Sequence, residues 1–103
     1  MMVRDINMIC EDGSVHHIKV YKASRTIRGE LVMNYIDITD NNKECFTEIA
    51  QIDGVFTAID TVNEWSYYAT AIEDIEDSFS RLLLISLPDE MHIIKKENKT
   101  KNI

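Results

Sequence analysis

Between residues 65 and 82 the large apolar side chains Trp65, Tyr68, Ile72, Ile75, Phe79 and Leu82 recur at steps of 3, 4, 3, 4 and 3. That rhythm follows one face of an α-helix and predicts a helix over residues 64–82 with its oily stripe turned inward. Asn63 is placed to cap its start and Arg81 lies near its far end, where a cation is favoured. Glu73, Asp74, Glu76 and Asp77 fall between the stripe positions and are expected to face water. Four acids late in a helix oppose its dipole at a cost of a few tenths of a kcal/mol each. Burying six large side chains at about 1.5–3 kcal/mol apiece outweighs that cost.

The N-terminal third has the other period. Ile6, Met8 and Cys10 alternate with Asn7 and Ile9, and His16, Ile18 and Val20 alternate with His17, Lys19 and Tyr21, around the turn cluster Glu11-Asp12-Gly13-Ser14. This is a hairpin pattern. A two-residue loop would set Met8 opposite His17 and mix apolar with polar on both faces. A three-residue loop at residues 12–14 sets Cys10 by His16, Met8 by Ile18 and Ile6 by Val20, with Gly13 or Ser14 in the left-handed position. A one-residue slip flips every side chain, so the second register is preferred by several buried methyls. Residues 31–38 form a third strand, apolar on both faces and therefore central or covered on both sides.

Residues 42–62 admit two readings. Asn41 with Glu44 resembles a capping box, and Phe46, Ile49 and Ile52 keep helical spacing, which makes a short helix over 42–52 the first choice. Against it stand the hairpin dipeptide Asp53-Gly54 and the β-branched residues Thr47, Ile49, Ile52, Val55, Thr57 and Ile59, which suit a hairpin over 46–62. After Pro88, residues 91–94 suit a last edge strand.

The resulting expectation is an α+β fold: a three-stranded antiparallel N-terminal sheet, ordered 1-2-3 or 2-1-3, covered by one or two helices, with a short C-terminal strand available to an edge. With 103 residues, 45% of them apolar, residues 1–94 make one domain, and residues 95–103 make a basic, frayed tail.

Charge narrows the partners. The net charge is −7, but residues 1–94 carry seventeen acids against seven Lys and Arg, a balance of −10, while residues 95–103 contribute +3. Such a body repels nucleic acid and anionic lipid and attracts basic partners. No apolar run reaches the ~18 residues of a membrane span, and the first residues lack the apolar core of a signal peptide, so a cytoplasmic location is expected. Cys10 and Cys45 stand in no paired spacing and read as free thiols. The abundance of Ile, Asn and Lys suits an AT-rich genome such as that of a low-GC bacterium or its phage.

Little in the chain points to chemistry. His16 and His17 are adjacent and point to opposite faces of a strand, so they cannot share a metal. A set made of Cys10, His16 and His92 lacks a fourth ligand and matches no zinc spacing. Cys10 with His16 as a nucleophile pair lacks an exposed thiolate and an orienting group. Only three glycines occur, none closely spaced, which leaves no phosphate loop or dinucleotide fingerprint. No metal, cofactor or catalysis is therefore expected.

The remaining candidates are Glu73, Asp74, Glu76 and Asp77, with Tyr67 leaning outward beside them. On a helix the four acids would span only ~4.5 Å of rise, a charge density close to that of duplex DNA at about one per 1.7 Å. The expected function is binding by occupancy: a carboxylate-rich helix face mimics nucleic acid and docks on a basic, nucleic-acid-binding protein. A phage-encoded inhibitor of host defence fits that size and charge. The alternative is a non-catalytic assembly subunit that dimerises through surplus apolar surface at residues 82–87 and the third strand.

Overall fold

The computed structural model describes residues 3–26, 29–60, 72–74 and 77–95. Among the described residues, seven strands and one helix follow in the order β1 (Arg4–Ile9), β2 (Val15–Thr26), β3 (Leu31–Asp37), β4 (Lys43–Ile52), β5 (Val55–Asp60), β6 (Ile72–Asp74), α1 (Asp77–Ser86) and β7 (Glu90–Lys95). Strands β1 to β5 form an antiparallel meander. β7 then inserts parallel to both β5 and β1, which closes a six-stranded barrel. β6 lies outside that circuit, antiparallel to the last residues of β2.

The expected α+β sheet under helices is thus overturned. The first three strands are antiparallel neighbours in the order 1-2-3, but the sheet continues through β4, β5 and β7 until it meets itself. Residues 42–52 are not a helix. They form β4, and the competing hairpin reading wins: Ile52 pairs with Val55 across Asp53 and Gly54, whose φ angles of 53° and 80° suit a two-residue turn of the primed type. The β-branched residues of this stretch prefer the pleated, half-buried surface, and the turn fixes their register. β7 is no edge strand either, since it is paired on both sides.

The first hairpin has a three-residue loop one position earlier than expected. Cys10 N donates to Ser14 O at 2.8 Å and Gly13 N to Cys10 O at 2.9 Å, with Gly13 at φ +88°. Ile6 therefore faces Ile18 and Met8 faces His16. A shift of two leaves every side chain on its expected face, so Ile6, Met8, Ile18 and Val20 are all buried.

The long apolar helix is also overturned. Ile72–Asp74 is extended in β6, and the described helix runs Asp77–Ser86. Trp65, Tyr68 and Ile75 lie outside the described residues, as does the tail beyond Lys95. The buried apolar residues Leu83 and Leu84 of α1, with Leu87 just after it, join the barrel core around Ile6, Met8, Val20, Ala23 and Met91. Phe79 and Leu82, expected inside, are outside.

Polar contacts fix α1 at this end of the barrel. β2 pairs with β1 through Val20 and with β6 from Ser24, and a bulge between Val20 and Lys22 separates the two stretches. In that gap the Ala23 N–H donates to the buried Ser80 hydroxyl at 3.0 Å. At the helix C-terminus Arg4 donates Nη1 to Leu84 O at 2.6 Å and to Ile85 O at 3.1 Å, and Nη2 to Asp89 Oδ1 at 2.8 Å. The cation that favours the helix end therefore comes from β1, while Arg81 sits in mid-helix.

The two faces of α1 predict opposite outcomes in a urea titration. Leu84→Ala should lower the unfolding free energy by about 2–5 kcal/mol, as a truncation in a packed core does. Leu82→Ala should change it by no more than about 0.5 kcal/mol.

Candidate functional site

Four consecutive apolar residues, Leu82-Leu83-Leu84-Ile85, cannot all face one side of a helix at 100° per residue. With Leu83 and Leu84 turned to the core, Leu82 and Ile85 are left in solvent at 64% and 56% exposure. Phe79 flanks them at 40%, with the Arg25 guanidinium 5.7 Å from its ring centroid. The outer side of α1 thus carries an apolar strip, from Phe79 to Ile85, about 9 Å long and about 10 Å wide on a firmly anchored helix.

The predicted acidic site is dispersed. Glu73 and Asp74 belong to β6, opposite Arg25 and Ser24 respectively, and Asp77 is the first residue of α1. Glu76 and Tyr67 lie outside the described residues. The acids do not share one helix face, and the regular rise that would imitate a phosphate backbone is absent from Glu73, Asp74 and Asp77. Asp77 gains a favourable place instead, because the N-terminal turn of a helix attracts negative charge. All three acids precede the apolar strip in the chain.

The opposite end of the barrel gathers the remaining chemistry-bearing groups. His16 sits on the inward side of β2, and its Nδ1 donates to Asp37 Oδ2 at 2.7 Å, not to Cys10. Asp37 Oδ1 also accepts from Asp40 N at 3.1 Å, which ties the β3–β4 turn to the pair. Asn41 and Asn42 complete that turn in the left-handed region, at φ 56° and 57°. His17 points outward and meets Asp5 at 3.2 Å. Tyr35 and Cys45 are cross-strand partners. Burial pushes the Tyr35 phenol far above its usual range and also raises the Cys45 thiol, so Cys45 stays protonated at neutral pH and is a poor nucleophile. Among the described residues no group of three or more His, Cys, Asp or Glu is arranged to hold a metal ion. This end reads as a polar seal over the core.

Sequence reasoning saw the surplus of apolar residues in 82–87 but assigned Leu82 to the inner stripe. The missed signal was the run itself, which is too dense for one helix face. Among the described residues no helix is long and apolar enough to cross a membrane.

The buried phenol and thiol give the barrel an alkaline limit. The unfolded chain releases the Cys45 and Tyr35 protons near their ordinary values of 9.0 and 10.0, whereas the folded chain holds them to higher pH. Stability from these groups is complete below pH 9 and falls as pH rises beyond it. The midpoint of urea unfolding should drop between pH 9 and 11, and Tyr35→Phe should flatten the part of the slope above pH 10.

Searches of family models, curated proteins and solved structures find no match to this chain.

Proposed function

We propose that this chain is a binding protein that acts by occupancy, with the outer face of α1 as its contact surface. The observation that carries the reading is the exposure of Leu82 and Ile85 side by side on a helix whose other face is built into the core. An exposed apolar strip on a rigid element is a common mark of a protein contact. The helix-in-groove mode fits it, since the anchors Phe79, Leu82 and Ile85 recur at steps of three along one side. Glu73, Asp74 and Asp77 precede the strip in the chain, and the whole chain is acidic, with a net charge of −7. The partner is accordingly a protein with an apolar groove and a basic rim. A nucleic-acid-binding protein meets that description, and the inhibitory role expected from the sequence would follow from filling its groove.

The same strip supports a second reading, a homodimer of α1 against α1. Its footprint of about 9 by 10 Å is small beside the ~800 Å² per partner of a standard interface. Two copies of charge −7 also repel. A groove that wraps the helix on three sides reaches a larger area and turns that charge into attraction.

Affinity capture from native lysate at 50 mM and 500 mM salt tests the proposal. The wild-type chain should retain a basic partner at low salt and lose much of it at high salt. Leu82→Ser with Ile85→Ser should abolish capture, a loss of at least about thirtyfold in affinity, with an unchanged thermal midpoint. Glu73→Gln, Asp74→Asn, Glu76→Gln and Asp77→Asn together should weaken capture and blunt its salt dependence. Full capture by the Ser variant overturns the reading. Sedimentation of a dimer that the Ser variant converts to monomer replaces it with the homodimer.

A further inference from the structure

The outer wall of the barrel carries a concavity far from the apolar strip. It has a volume of about 300 Å³ and is lined by Val3, Lys19, Tyr21, Ile36 and Glu44. Its geometry follows from the register. Lys19 on β2 pairs with Ile36 on β3, and Ile36 pairs with Glu44 on β4, so the three stand in one row across the sheet. Adjacent strands are about 4.8 Å apart, which sets the Lys19 and Glu44 backbones roughly 10 Å from each other with Ile36 midway between them. One step along the strands Tyr21 is the extra residue of the β2 bulge, and Val3 precedes the start of β1. A bulge re-aims the residue it inserts, and here it raises a half-buried aromatic wall beside the Ile36 floor.

The charges of this cup are unusual in being unused. Lys19 and Glu44 are both exposed, and neither makes an ion pair or a side-chain hydrogen bond among the described residues. No ion pair joins them across Ile36, and Asp5 of β1 stands opposite Lys19 on its other side. One positive and one negative group therefore face each other across an apolar floor with an aromatic side wall.

We infer that this cup binds a free amino acid with an apolar or aromatic side chain. The pairing is one of charge and shape. The α-carboxylate meets the Lys19 ammonium, the α-ammonium meets the Glu44 carboxylate, and the side chain lies on Ile36 and Val3 against the Tyr21 ring. A free amino acid carries both charges on adjacent atoms with an apolar body, which neither an anion nor a cation alone supplies. A volume of about 300 Å³ lies at the small end of ligand sites and suits one residue. Both ion pairs are exposed to solvent, so the affinity is in the millimolar range.

The test is a titration of the isotopically labelled full chain with L-phenylalanine, followed by backbone amide resonances. Saturable shifts should appear at Val3, Lys19, Tyr21, Ile36 and Glu44 with millimolar midpoints. N-acetyl-phenylalanine lacks the ammonium and phenylalanine methyl ester lacks the carboxylate; each should bind at least fivefold more weakly. Lys19→Gln and Glu44→Gln, both surface changes that leave the rest of the spectrum in place, should weaken phenylalanine by a similar factor. Tyr21→Leu should weaken it less than either. Absence of shifts at these five residues up to 20 mM overturns the proposal. So does equal binding of the acetylated and esterified forms, because the charges would then play no part. Since α1 is not involved, Leu82→Ser with Ile85→Ser should leave this titration unaltered.

Discussion

The architecture depends on the backbone hydrogen bonds of β7 to two strands at once. Met91 lies beside Met8 of β1, and Ile93 lies beside Ala58 of β5. Without that strand the meander β1 to β5 is an open sheet with two bare edges, each a row of unsatisfied donors and acceptors. With it, every strand of the circuit has two neighbours, and the inward side chains Ile6, Ile18, Val20, Met33 and Met91 fill a closed interior in which each is essentially free of solvent. The side-chain polar atoms that closure buries are all partnered among the described residues. Thr47 Oγ1, for instance, donates to Ile59 O at 2.9 Å.

Closing a barrel solves the edges but not the ends, and the two ends are treated differently. One is stoppered by the leucines of α1, which is fixed by the Ser80 hydroxyl and by the Arg4 guanidinium. The other is sealed by the His16–Asp37 pair over Tyr35 and Cys45. A stopper made from a helix has a second face by construction. In this chain that face carries Leu82 and Ile85 where a purely structural stopper would carry charged or polar groups. The surface proposed for binding is thus a by-product of the element that completes the core, and its rigidity comes from the same contacts.

Much of the fold was legible locally and little of it globally. The period of two in residues 6–10 and 16–20, the Asp-Gly turns and the central third strand all announce themselves, because they are settled by neighbours in sequence. Residues 42–52 were ambiguous, since Phe46, Ile49 and Ile52 satisfy a helical period while their β-branched company satisfies a strand; the Asp53-Gly54 turn and pairing with β3 decided the matter. The stripe from Trp65 to Leu82 misled for a related reason. Its period of 3.6 runs on through Ile72, in a strand, and through Phe79 and Leu82, in a helix, and nothing local separates the two. Pairing of β7 with β1, more than eighty residues apart, leaves no trace in either segment. The acidic candidates were visible as a cluster, but their arrangement depended on that failed helix, whereas the outward pair Leu82 and Ile85 and the cup around Ile36 arise only from three-dimensional placement.

The pairing of Met8 with Met91 also governs how the molecule is made. β1 leaves the ribosome more than eighty residues before β7, so the circuit cannot close until the segment through β7 has been synthesised. Contacts of such long separation slow folding toward the millisecond-to-second range typical of β-rich topologies. During that interval the half-built sheet presents sticky margins, and a cell that makes this protein must keep those margins apart until β7 arrives.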